Sequence, residues 1–99
     1  MKAVIVAPRQ SVGQLYARLS GFDHQPIVVT PRATSAVRGQ ADVTHVIILG
    51  SMVHSPQLLD VLRVVKPAAG AFVTLTTTLP AVSREDAHTI ETAWSEAGK

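Results

Sequence analysis

An α/β fold with a four-stranded parallel sheet in the order 2-1-3-4 is what this sequence predicts, on three observations. Four short apolar runs rich in β-branched residues alternate with helix-like segments. The first and third runs are apolar throughout, as strands covered on both faces are, which puts them in the middle of the sheet. Strand–helix alternation calls for right-handed crossovers and for helices on both faces of one sheet.

The elements follow in chain order. The first strand is Ala3–Ala7, stopped by Pro8. Val12, Leu15, Tyr16 and Leu19 then recur at i, i+3, i+4 and i+7, a helical stripe that Gly21 can end. The second strand, Ile27–Thr30, starts after Pro26, which an edge position tolerates. Ala33–Gly39 supports at most two turns of helix. The third strand is His45–Leu49. Ser55 followed by Pro56 reads as an N-cap with proline at the first helical position. Leu58, Leu59, Leu62 and Val65 form the apolar face of that helix, and Pro67 and Gly70 close it. The fourth strand, Ala71–Thr76, alternates Val73 and Leu75 with Thr74 and Thr76, as the other edge would. Ser83-Arg84-Glu85-Asp86 resembles a capping box with Asp in the last place. Ala87, Ile90, Ala93, Trp94 and Ala97 carry the final helix, with Trp94 expected inside the monomer. The expected architecture is one three-layer α/β/α domain over residues 1–99, Rossmann-like in its winding.

Composition agrees. Ninety-nine residues hold one core, and 46% hydrophobic against 16% charged is too apolar for disorder. The formal charge is +2, too weak to argue nucleic-acid binding unless the arginines are clustered. The chain has no cysteine, which excludes disulfides, thiol catalysis and zinc–thiolate sites. No apolar run approaches the ~18–20 residues of a membrane span. The opening Met1-Lys2-Ala3-Val4-Ile5 is interrupted by Pro8 and Arg9 and reads as a strand rather than a signal peptide. A cytoplasmic location is the expectation.

In open α/β sheets ligands bind beyond the carboxyl ends of the strands, near the switch in strand order. Four loops meet there: Pro8-Arg9-Gln10-Ser11, Thr30-Pro31-Arg32-Ala33-Thr34, Gly50-Ser51-Met52-Val53-His54, and Thr76-Thr77-Thr78-Leu79-Pro80. The candidate ligand-binding residues are therefore Arg9, Ser11, Arg32, Thr34, Ser51, His54 and Thr76. Two arginines and several hydroxyls beside helix N-termini suit an anion. Each also has an ordinary reading. Ser11, Thr34 and Ser55 also read as ordinary N-caps, and loop arginines are commonly solvated. His54 has no acidic partner in its own loop. The histidines have no metal-ligand spacing, so no metal site and no cofactor are expected.

Several enzyme classes lack their motifs. There is no G-x-G-x-x-G after the first strand, no phosphate loop and no G-x-S-x-G. A phospho-accepting receiver domain needs acidic residues where this chain has Pro8 and Leu49-Gly50.

One family resemblance spans these loops together. Val4-Ile5-Val6-Ala7-Pro8-Arg9, with Gln14 after it, resembles motif Ia of DEAD-box-like helicases. Val28-Val29-Thr30-Pro31-Arg32 is similar to their motif Ib. Val46-Ile47-Ile48-Leu49-Gly50 falls where their Walker B strand lies, and Leu75-Thr76-Thr77-Thr78-Leu79-Pro80 is similar to motif III. The resemblance covers Val4 to Pro80 in the right order and implies a degenerate RecA-like domain. The phosphate loop is missing and Leu49-Gly50 replaces the Walker B acids, so the family's ATPase chemistry does not carry over. What the resemblance implies for this chain is the family's contact with a nucleic-acid backbone, through Pro8, Arg9, Thr30, Pro31 and Arg32. Compact, degenerate versions of larger folds also resemble phage accessory proteins.

The sequence thus leads to a non-enzymatic binding domain whose carboxyl edge takes a nucleic-acid backbone or a phosphorylated small molecule. The alternative is a protein–protein module or homodimer, with edge strands and Leu79-Pro80-Ala81-Val82 as contact surfaces. An enzyme using His54 with Ser51 or Thr76 is a third reading without a recognisable motif.

Overall fold

The structure, a computed structural model, describes residues 2–78 and 83–98. Strands β1 (Ala3–Val6), β2 (Ile27–Val29), β3 (Val43–Ile48) and β4 (Ala69–Thr77) form one parallel sheet ordered β2-β1-β3-β4. The helices are α1 (Gln10–Ser20), α2 (Leu58–Val65) and α3 (Arg84–Ala97). The fold class, strand order and parallel pairing are those the sequence predicts. The stretch Leu79–Val82 lies outside the described residues.

Strand limits moved where side chains hide the pattern. Ala7 N–H still donates to Val29 O at 3.0 Å and Leu49 N–H to Val6 O at 3.0 Å, so ladder bonding outlasts the strands by one residue. β3 begins at buried Val43, but exposed Thr44 and half-buried His45 interrupt the apolar run there. Thr44 is held because its N–H donates to Lys2 O at 2.9 Å. The pairing of β4 steps from Val43–Ala69 directly to His45–Thr74. Two steps on β3 thus face five on β4, so the start of β4 is an irregular bulge, which accounts for the early, weakly patterned residues Ala69 and Gly70. Ala33–Gly39 yields a single 3-10 turn at Ser35–Val37.

Helices α2 and α3 cover the back of the sheet. Leu58, Val61, Leu62, Val65 and Ile90 pack on Val4, Val6, Val46 and Ile48, nearly all of them fully buried. Each large aliphatic side chain buried in this way contributes about 1.5–3 kcal/mol of transfer free energy. Ser83 caps α3, its Oγ accepting from Asp86 N–H at 3.0 Å. Trp94 is only partly buried against this core. Its outer side carries Lys66, whose Nζ lies 5.2 Å from the ring centroid and donates to Trp94 O at 2.7 Å.

The front of the sheet carries α1 alone, over Ile5, Ala7, Val28, Ile47 and Leu49. An apolar stripe at helical spacing ordinarily faces the core. Here it does not: Val12, Leu15 and Leu19 are exposed, Leu19 at 77%. Gly13 is the buried residue of α1, and Tyr16 and Ala17 pack onto the sheet beside it. Gly13 brings the helix backbone against Val28 and Ala7, so the contact line runs one residue along from the stripe. Gly21 ends α1 with φ 64°, the left-handed cap that its sequence position suggested.

Candidate functional site

The loop after β1 turns sharply into α1. Arg9 occupies the N-cap in an extended conformation (φ −141°, ψ 151°), and its carbonyl accepts from Gly13 N–H at 3.2 Å. An arginine side chain has no acceptor, and no acidic residue lies in the first turn. The amides of Gln10, Ser11 and Val12 therefore have neither an intrahelical partner nor a side-chain cap from Arg9. Ser11 stands inside the first turn and is not the N-cap.

The loop after β2 is tied shut. Thr30 N–H donates to Ala33 O at 3.2 Å, and Ala33 N–H returns the bond to Thr30 O at 3.1 Å. Pro31 suits the first corner of such a turn. Buried Thr30 anchors the turn, and exposed Arg32 stands at its tip.

These two loops enclose a cleft of about 610 Å³. Arg9 and Arg32 line it with Gln10 and Thr30, Pro8 and Pro31 wall it, and Gln57 reaches it from the start of α2. No acidic side chain lines it. Two permanent positive charges thus border one cavity at the N-terminal end of α1. Guanidinium groups there can make paired hydrogen bonds to phosphate oxygens, and the helix amides add directional donors.

The other candidate residues are placed elsewhere. Thr34 lines an adjoining cavity of about 220 Å³ with Pro31, Gln57 and Asp60, and its side chain caps nothing. Ser51 lies in a groove between α1 and the end of β3. Thr76 is exposed on β4 and borders a pocket beside α3. His54 faces α3, where its Nε2 lies 2.7 Å from Asp86 Oδ1. The carboxylate missing from its own loop arrives from the N-terminus of the last helix. The capping-box pattern locates Asp86 at that terminus, and the topology carries it to the carboxyl edge. Ser55 does accept a local bond, from Gln57 N–H at 3.2 Å. Gln57, not Ser55, is the N-cap of α2, so Ser55-Pro56 forms a turn just ahead of the helix, and the cleft residue Gln57 carries no signal of its own in the sequence. Among the described residues no group of three His, Asp or Glu side chains could hold a metal ion, and no helix is long and apolar enough to cross a membrane.

No protein-family model, curated protein or solved structure matches the chain.

Proposed function

We propose that this chain is a non-enzymatic binding domain that takes a phosphate-bearing ligand in the cleft between the loops after β1 and β2. The observation that carries the reading is that Arg9 and Arg32 line one cavity beside the uncapped start of α1. Arg9 and Arg32 supply charge, Thr30 and Gln10 flank them, and the first-turn amides supply oriented donors. A nucleic-acid backbone is the preferred source of the phosphate, and a phosphorylated small molecule is the other. Neither His54 nor Asp86 lines the cleft, which favours binding over acid–base chemistry there.

Fluorescence anisotropy with labelled single-stranded DNA and RNA, over a series of salt concentrations, tests this reading. Inorganic phosphate and mononucleotides serve as competitors. Arg9→Ala and Arg32→Ala should each weaken binding alike for all sequences and reduce the salt slope by about one unit. Arg63→Ala, on α2 with its guanidinium 3.8 Å from Asp60, should change little. Competition by mononucleotides without any gain from a longer strand would assign the cleft to small molecules. Absence of binding to every probe at low salt, or equal weakening by Arg63→Ala, would overturn the proposal.

A further inference from the structure

The front of the sheet is covered except along β4. Parallel sheets are ordinarily sheltered on both faces. Here α1 packs over β1, β2 and the buried Ile47 of β3, and among the described residues β4 contributes none to this front core. Register aligns His45 with Thr74 and Ile47 with Thr76 on that side, and both threonines are exposed. At the start of β4 the bulge presents Phe72, 94% exposed, the most exposed large apolar side chain described. Val73 beside it packs on the back core, so Phe72 stands away from that core. At the other end of the same face, Val12, Leu15 and Leu19 of α1 border an apolar groove of about 470 Å³ floored by Leu49. One face thus carries an aromatic knob near one end and an apolar groove near the other.

We propose that two copies of this chain pair front to front about a two-fold axis, with Phe72 of each copy seated in the Val12–Leu15–Leu19 groove of the other. A second copy is the occupant that supplies both halves of the contact. A two-fold interface requires one patch that is complementary to itself, and a knob and a groove on the same face meet that requirement. Charge agrees. Phe72, Thr74, Thr76, Val12, Leu15 and Leu19 are neutral, so the contacts they make between two copies bring no like charges together, although the chain is net positive. The size also fits. The seven residues from Phe72 to Thr78 span about 20 Å in six steps of ~3.3 Å, and with the flank of α1 the face is on the scale of the ~800 Å² per partner of a standard interface. The Arg9–Arg32 cleft shares no residue with this face, so pairing leaves it open.

Sedimentation velocity of the whole chain over a wide concentration range gives the first test. A closed dimer is expected, and Phe72→Glu and Leu15→Glu should each raise its dissociation constant by about thirtyfold or more, as loss of a buried anchor does. Both positions are exposed in the single chain, and circular dichroism should show the fold retained. The cysteine-free sequence allows a sharper test. Phe72→Cys and Leu15→Cys, mixed in equal amounts under oxidising conditions, should cross-link to each other, and neither should cross-link to itself. A chain that remains monomeric at all concentrations overturns the proposal. So do open-ended assemblies, a dimer unmoved by Phe72→Glu, or cross-linking of Phe72→Cys only to itself, which would mean edge pairing of β4.

Discussion

A Cβ atom added to Gly13 would overlap Cγ1 of Val28 and stand 3.1 Å from Cβ of Ala7. Gly13 is where α1 touches the sheet, and Val28 is β-branched, so its methyl cannot swing aside freely. Gly13→Ala should therefore destabilise by about 1–3 kcal/mol through overpacking, although alanine is favoured over glycine inside a helix by about 1 kcal/mol. Urea denaturation measures the difference. A more stable variant would show that α1 does not seat on Gly13.

Two leucines of similar sequence standing should respond differently. Leu62 is fully buried and Leu19 is 77% exposed. Leu62→Ala should cost about 2–5 kcal/mol and Leu19→Ala less than about 0.5 kcal/mol in the monomer. Equal losses would return the stripe of α1 to the core. The measurement is made at low protein concentration, where association does not contribute.

The start of α3 rests on separable contacts. Ser83 Oγ accepts from the Asp86 amide, and the Asp86 carboxylate meets His54. Ser83→Ala should cost about 1 kcal/mol as a lost cap. Asp86→Asn keeps the backbone amide and should cost less, because His54 is largely exposed and such surface pairs contribute little. Thermal unfolding of the two variants gives the order. A larger loss in Asp86→Asn would make the His54 contact the stronger anchor.

The strand order was legible because Ala3–Val6 and Val46–Leu49 are unbroken apolar runs, which only central strands tolerate. The facing of α1 was not legible. Spacing marks Val12, Leu15 and Leu19 as a stripe, but the close approach that decides which side is buried depends on the missing side chain of Gly13. The bulge of β4 was equally hidden, since it is a mismatch with Val43–His45 and not a property of Ala69–Val73 alone. At the carboxyl edge, Arg9 and Arg32 could be paired from the sequence because each follows a strand and a proline in adjacent strands. The hydroxyl candidates could not be sorted, because Thr34, Ser51 and Thr76 share that edge yet line different cavities. The partner of His54 came from a residue 32 positions away, beyond the reach of any local pattern.

The proposal that the Arg9–Arg32 cleft takes phosphate is tested most directly by amide chemical shifts of the labelled chain during titration with inorganic phosphate and then with a short oligonucleotide. The largest shifts should fall on Gln10, Ser11 and Val12 at the start of α1 and on Arg32 and Ala33 in the second loop. They should disappear in the Arg9→Ala, Arg32→Ala double variant. Shifts centred instead on Arg18 and His24, which line a separate cavity of about 330 Å³, or no shifts at either ligand, would contradict the account.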